Sequence, residues 1–157
     1  MSSPRNVETN LGIVRSLLPR VVVDLGCGGG NYGSWIRRQG LATTIVGVDA
    51  WEGNKNQKWD DYDSVLIGDV RTIELPDADL YLMIDIIEHM SRTDGLALLS
   101  RIGPPVLVCT PRHWPQEADE NPYQEHVSEW SEDDFDFVLD ESDDEFVIGL
   151  TSIIERR

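Results

Sequence analysis

A glycine-rich turn that follows a run of valines is the segment of this chain most suited to binding a small ligand. The valines at 21–23 lead to Asp24, and Gly26, Gly28 and Gly30 follow. A β-branched run is typical of a buried strand, and glycines let a turn pass close to a ligand. A helix starting at the turn would point its free N–H groups into the same crevice. The segment therefore predicts a nucleotide-type pocket at the carboxyl end of a strand.

The spacing inside the turn argues against a dinucleotide ligand. Dinucleotide-binding turns have the pattern Gly-x-Gly-x-x-Gly, but the sixth position counted from Gly26 is Asn31. Asp24 lies two residues before the first glycine, where its carboxylate would repel a pyrophosphate and attract an ammonium group. A tight strand-to-helix turn without a ligand is the structural alternative. The acid and the glycines together favour a ligand that carries an ammonium group and no phosphate.

Three more acids, Asp49, Asp69 and Asp85, stand at or beside the ends of predicted strands. Parallel strands bring their carboxyl ends to one edge of a sheet, so these carboxylates would meet Asp24 there. Each acid alone could instead cap a helix or lie in a solvated loop. Asp49 follows Gly26 by 23 residues, close to the offset of about 20 at which an acid after the second strand reaches a ribose hydroxyl. Their joint placement favours a site.

The hydrophobic pattern predicts the elements that would hold these acids. Helices are expected over residues 8–18, 31–39 and 92–101, the last capped by Ser91 or Thr93, with a further helix starting at 131–134. Strands are expected over residues 21–25, 43–48, 65–67, 79–84, 106–109, 137–139 and 146–154. The alternation predicts one α/β domain over residues 1–157: a doubly wound, mostly parallel sheet of about seven strands with an antiparallel C-terminal hairpin. Long loops at 52–63 and 111–130 follow strand ends, where functional residues concentrate.

The composition narrows the partners and the compartment. The 157 residues carry a formal net charge of −16, which disfavours nucleic acids and anionic membranes as partners. No apolar run approaches the ~20 residues of a membrane span, and the N-terminus lacks a signal-peptide core, so a cytoplasmic location is expected. Cys27 and Cys109 are expected to be buried thiols rather than a disulfide. The acidic segment 129–145 is expected to be a solvated face, with a surface for a basic partner as the alternative.

The acid-glycine turn resembles motif I of the class I S-adenosylmethionine-dependent methyltransferases, whose cofactor carries an ammonium and a sulfonium but no phosphate. The resemblance covers most of the chain and implies a Rossmann-like fold. Residues 47–49 (Gly-Val-Asp) resemble the acid after the second strand, and residues 68–76 resemble the segment that meets the adenine. Residues 79–90 resemble the fourth-strand motif of the small-molecule branch. Residues 121–131 resemble, more weakly, the loop after the fifth strand.

The resemblance implies a set of contacts with S-adenosylmethionine. The implied contact residues are Asp24, Gly26, Cys27, Gly28, Asn31, Asp49, Ala50, Trp51, Asp69, Val70 and Asp85. Asp49 would accept hydrogen bonds from the ribose, Asp69 would accept from the adenine amine, and the Val70 N–H would donate to the ring. Asp85 would lie near the transferring methyl. Trp51 could pack on the adenine or anchor the core.

Methyl transfer mainly requires the acceptor to be held in line with the methyl, and a general base is needed only where the acceptor loses a proton. The candidate catalytic residues are Asp85, His113 and His126, although a structural role is the alternative for either histidine. His89 is expected to cap or pack against a helix. The acceptor is expected to be a small molecule or a protein. No metal site is predicted, because the zinc and calcium spacings are missing.

Two other functions remain open from the residues. About twenty residues precede the first strand, so the lid over the cofactor is expected to be minimal or supplied by another subunit. A catalytically degenerate methyltransferase fold that binds cofactor, or nothing, and regulates a partner is therefore the main alternative. A nucleotide-sugar or nicotinamide enzyme is a third possibility, disfavoured by Asp24 and Asn31. The oligomeric state is left open.

Overall fold

The fold is a seven-stranded sheet flanked by helices. The computed structural model describes residues 4–103, 105–113, 115–135, 137–140 and 146–151. The strands are β1 (Val21–Leu25), β2 (Thr44–Asp49), β3 (Ser64–Ile67), β4 (Leu80–Ile84), β5 (Val106–Pro111), β6 (Phe137–Asp140) and β7 (Phe146–Thr151). The α-helices within these residues are α1 (Pro4–Leu17), α2 (Asn31–Gln39) and α3 (Arg92–Ile102). Short 3₁₀ turns connect several of them.

The strand order places a crevice at the carboxyl ends of β1 and β4. The order across the sheet is β3-β2-β1-β4-β5-β7-β6. Strands β1 to β5 are parallel, whereas β7 runs antiparallel to both β5 and β6. The chain moves outwards from β1 to β3 and returns to β4 on the other side of β1, and ligands bind at such a reversal in open α/β sheets. The predicted doubly wound, mostly parallel sheet with an antiparallel C-terminal edge is confirmed.

Successive strand residues enter two separate cores, one on each face of the sheet. Val22 and Leu82 belong to the core that α1 and α2 cover. Val23 and Met83, the next residues along, belong to the core that α3 covers. Fully burying one such side chain contributes about 1.5–3 kcal/mol, so both faces of the valine run at 21–23 stabilise the position of the turn that follows.

The predicted element boundaries differ from the structure by a few residues. Helix α1 begins at Pro4, and proline's fixed φ suits a first turn. The predicted helix extends to Leu18, but α1 ends at Leu17, and Leu18 is 79% exposed with a φ of 50°. Pro19 follows it, and a proline disfavours the helical conformation of the residue before it. The predicted strand residues 152–154 lie outside the described residues.

Other local expectations have mixed outcomes. Ser91 caps α3, as predicted, by accepting a hydrogen bond from the backbone N–H of Asp94. The predicted helix from 131 is only the 3₁₀ turn Glu132–Asp134. Cys27 and Cys109 are both buried, and neither forms a disulfide. In the described part of the chain, no helix is long and apolar enough to cross a membrane.

Candidate functional site

The turn between β1 and α2 is open to a ligand at Gly28 and tightly packed at Gly26. Both residues have positive φ, 51° and 65° respectively, which side chains rarely adopt. A Cβ placed on Gly26 would lie 2.4 Å from the side chain of Ile86. A Cβ on Gly28 would meet only the Gly26 carbonyl, at 4.0 Å. The space above Gly28 is therefore available for close approach of a ligand.

Asp49, at the end of β2, holds this turn in place. Its Oδ2 accepts a hydrogen bond from the Gly28 N–H at 2.7 Å. Its Oδ1 accepts from the Trp51 N–H at 2.9 Å and from Asn54 Nδ2 at 3.1 Å. A carboxylate has about four acceptor positions, so one remains for a further donor. Because Asp49 is only 6% exposed, the protein shields this acceptor position from most of the solvent.

Asp24 lies under the turn in a buried chain of hydrogen bonds. The Tyr62 hydroxyl donates to Asp24 Oδ2 at 2.6 Å and accepts from the Gly33 N–H at 3.0 Å. Burial raises the pKa of Asp24 to about 7; the nearby charge of Asp49 acts in the same direction, and the Tyr62 hydrogen bond opposes it. Near neutral pH this carboxyl is therefore poised between its neutral and its charged form.

The first of two neighbouring cavities, the Asp49 cavity, lies at the ends of β2 and β3. Three residues predicted to contact the cofactor line it: Ala50, Asp69 and Val70. The Asp69 carboxylate pairs with Arg71 at 2.6 Å, and hydrogen bonds from Arg71 lower the pKa of Asp69. Trp51 is not among the described residues that line the cavity; its backbone N–H serves Asp49 instead.

The second cavity, the Glu88 cavity, has a volume of about 470 Å³, which lies in the usual range of roughly 300–1,000 Å³ for ligand sites. Its polar lining includes Asp24, Cys27, Asn31, Asp85, Glu88, His89, Gln116, Gln124 and His126. Gly26, Gly28 and Asp85 line both cavities. The two spaces therefore adjoin across the glycine turn, and Asp85 stands between them with a positive φ of 51°.

Glu88, His89 and His126 converge at the wall of the Glu88 cavity. Glu88 is 1% exposed, and burial raises the pKa of its carboxyl to about 8. The rings of His89 and His126 meet edge to face, with centroids 4.7 Å apart. Burial lowers the pKa of His89. Sequence spacing alone did not identify Glu88 or favour His89, because their partner lies in the loop after β5.

His113 lies apart from this cluster. Its Nδ1 contacts the Glu129 carboxylate at 2.6 Å, and the His113 side chain is 73% exposed. Among the described lining residues of the two cavities, His113 does not occur. Of the three candidate catalytic residues, the structure thus brings Asp85 and His126 together and leaves His113 on the surface.

Two aromatic residues of the long loop after β2 support the turn and were not singled out by sequence. Trp59 Nε1 donates to the Gly28 carbonyl at 2.8 Å, and Tyr62 contacts Asp24 and Gly33. Both side chains are buried. Bulky aromatics in a loop of otherwise polar composition were the available signal, since a buried loop aromatic must pack against something.

The family comparison agrees with this geometry. A sequence model of the methyltransferase domain family matches residues 23–102, which span β1 to α3 and include the glycine turn. No curated protein sequence matches the chain significantly.

Solved structures share the fold at low sequence identity. The methyltransferase domain of bacterial CtHen1 has a TM-score of 0.71 and 18% identity, covering 95% of this chain and 98% of that one. CalO1, a methyltransferase in calicheamicin biosynthesis in its S-adenosylhomocysteine-bound form, has a TM-score of 0.63 and 18% identity over 95% of this chain and 54% of its own. The S-adenosylmethionine-bound amino pentose methyltransferase CalS10 from Micromonospora echinaspora has a TM-score of 0.55 and 14% identity, with 73% and 52% covered.

Proposed function

Since the chain belongs to the methyltransferase domain family of the class I superfamily, we propose that it transfers a methyl group from S-adenosylmethionine to a small-molecule or protein acceptor. The observation that carries the proposal is the glycine turn, which is open to a ligand at Gly28. Asp49 holds this turn by a hydrogen bond, and Asp24 is buried beneath it. An idle pocket would have no need of a buried acid whose charge costs free energy. No comparison supports the non-catalytic alternative.

The residues of the two cavities fit this cofactor. The free acceptor position of Asp49 suits a ribose hydroxyl, and the space above Gly28 allows the close approach that the turn requires. Asp24 would attract the ammonium group, and Asp69 and Val70, which line the Asp49 cavity, would meet the adenine. The cofactor, when bound, supplies a methyl group activated by a positively charged sulfur.

The acceptor would occupy the Glu88 cavity, beyond Asp85. Its described lining contains acids, histidines and amides but neither lysine nor arginine. Such a wall disfavours a phosphate or carboxylate next to the methyl and favours a neutral or cationic acceptor group. Asp85 and His126 are the candidates that lie close enough to this space to receive a proton.

Calorimetric titration with S-adenosylmethionine and S-adenosylhomocysteine tests the cofactor. We expect saturable binding of both, and radiolabelled methyl from the former to appear in a fraction of cell metabolites or proteins. Absence of heat at millimolar ligand, with the protein folded, would contradict the proposal. Tight binding without transfer to any fraction would favour the regulatory alternative.

The affinity for S-adenosylmethionine is expected to rise about tenfold between pH 5.5 and pH 7. Asp24 with a pKa of about 7 is mostly neutral at pH 5.5, and binding of an ammonium group favours its charged form, so protons oppose binding. Calorimetry across this range measures the effect. Asp24→Asn should flatten the profile, and so should methylthioadenosine, which lacks the ammonium, with the wild-type protein. Equal pH dependence for both ligands would rule out this role of Asp24.

A further inference from the structure

Three side chains that commonly ligate metals converge from two separate segments beside the end of β4. Glu88 and His89 lie in the 3₁₀ turn Ile87–His89, and His126 lies in the loop after β5. One ligand atom from each lies within 4.8 Å of the other two. Bonds of about 2.0–2.2 Å to one ion would place ligand atoms up to about 4.4 Å apart, so small side-chain rotations suffice.

The buried carboxyl group of Glu88 is only partly satisfied by hydrogen bonds. Its Oε2 accepts a hydrogen bond from the Thr110 hydroxyl at 3.0 Å. Its Oε1 is fully buried and has no hydrogen-bond partner among the described residues. A buried carboxylate oxygen left in this state is costly unless a proton or a cation lies against it. Glu88 offers one carboxylate oxygen to the group formed with His89 and His126.

A backbone carbonyl orients the ring of His89. Its Nδ1 lies 3.1 Å from the backbone carbonyl of Glu125. A carbonyl oxygen only accepts, so in the neutral ring Nδ1 carries the hydrogen and Nε2 keeps the lone pair. A hydrogen bond from one ring nitrogen to a carbonyl is the usual way in which a protein orients a metal-ligating histidine.

The loop that carries His126 is fixed against Glu88 by backbone hydrogen bonds. The Val127 N–H donates to the Glu88 carbonyl at 2.9 Å, and the Ser128 N–H donates to the same oxygen at 3.2 Å. The His126 N–H donates to the Gln116 carbonyl at 2.9 Å. Because the backbone is held at and after His126, the loop keeps this residue beside Glu88.

We propose that Glu88, His89 and His126 bind one divalent first-row transition-metal ion, such as Zn²⁺ or Mn²⁺. Two imidazoles and one carboxylate suit such ions better than Mg²⁺, which prefers oxygen ligands. Three protein ligands leave at least one coordination position for the Glu88 cavity. His126 is then a ligand rather than a general base.

The metal also defines the class of acceptor, a step that rests on the proposed function. An acceptor hydroxyl at the open position would ionise more readily, because a bound cation lowers the pKa of the oxygen it binds. Its proton would pass to water. The oxygen would then form the new C–O bond as the C–S bond breaks, with the electron pair of that bond remaining on sulfur. The expected acceptor is therefore an alcohol.

Calorimetric titration of the chelator-treated full chain with ZnCl₂, MnCl₂ or MgCl₂, without cofactor, tests the site. We expect one Zn²⁺ or Mn²⁺ per chain, bound at least about tenfold more tightly than Mg²⁺. His126→Ala and His89→Ala should each weaken binding by about a hundredfold or more, since loss of a supporting contact alone costs ~10–100-fold. The matched control His113→Ala, on the exposed histidine of the same loop, should leave the affinity unchanged.

Two outcomes would overturn the site: a folded wild-type chain that binds none of these ions, or binding that His126→Ala leaves intact. Should a variant fail to fold, the visible absorption spectrum of Co²⁺ bound to the wild-type chain reports nitrogen and oxygen ligands directly. A spectrum of aqueous Co²⁺ would then overturn the proposal. Metal binding needs no cofactor, so a failed S-adenosylmethionine titration with intact metal binding would contradict only the proposed function.

Discussion

Asparagine in place of Asp49 is expected to lower the affinity for S-adenosylmethionine by about a hundredfold. The amide cannot accept from Gly28, Trp51 and a ribose hydroxyl together, because one of its two terminal atoms is a donor. Hydrogen bonds to a charged group contribute about 1.5–3 kcal/mol each. Loss of one or two such bonds amounts to about 3 kcal/mol, or roughly two powers of ten in affinity. Calorimetry on both proteins measures the difference.

Asp60→Asn is the matched control for this substitution. Asp60 lies exposed in the loop after β2. Its substitution removes the same charge without touching the glycine turn, so the variant should bind S-adenosylmethionine as tightly as the wild-type chain does. Thermal unfolding of both variants separates a lost ligand contact from a lost fold. A folded Asp49→Asn protein with undiminished affinity would show that this carboxylate neither holds the turn nor meets the ribose.

The position of Asp49 illustrates what sequence can establish. A valine-rich strand, an acid at its end and a fixed offset from the glycines depend on local pattern and on the geometry of parallel strands, and both follow from the chain alone. The partners of the carboxylate do not. That Asp49 already accepts three protein hydrogen bonds depends on distances between Gly28, Trp51 and Asn54, which only the folded chain defines.

The two histidines of the loop after β5 show more clearly what cannot be predicted from the sequence. His113 and His126 are the same residue type in the same loop, and no periodicity distinguishes them. Different contacts hold them: the Glu129 carboxylate meets the His113 ring, and the N–H of Val127, next to His126, donates to the Glu88 carbonyl. The cluster with Glu88 could not be predicted from the sequence for the same reason. Metal motifs are recognised by short spacings, whereas β5 separates Glu88 and His89 from His126 in the chain.

Gly33→Ala is expected to destabilise the fold by about 3 kcal/mol. Gly33 lies in α2, and a Cβ at this position would lie 2.0 Å from Cζ of Tyr62. Tyr62 is only 6% exposed, so the added methyl group would have to displace a packed side chain. Overpacking a core costs about 1–3 kcal/mol, and each displaced hydrogen bond of the Tyr62 hydroxyl costs about 1 kcal/mol more. At ~2–4 °C per kcal/mol, the melting temperature should fall by roughly 6–12 °C.

Gly12→Ala distinguishes this packing effect from helix propensity. Gly12 lies inside α1, where a Cβ would meet no atom within 4 Å, so alanine should stabilise the chain by up to about 1 kcal/mol. Opposite signs for the same substitution in two helices would locate the cost in Tyr62.

In Gly33→Ala, displacement of the Tyr62 hydroxyl would also leave Asp24 without the donor that opposes the rise in its pKa. The pH at which cofactor binding reaches half its full strength should then move upwards, whereas a Gly33→Ala protein that melts and titrates like the wild-type chain would mean that Tyr62 supports neither.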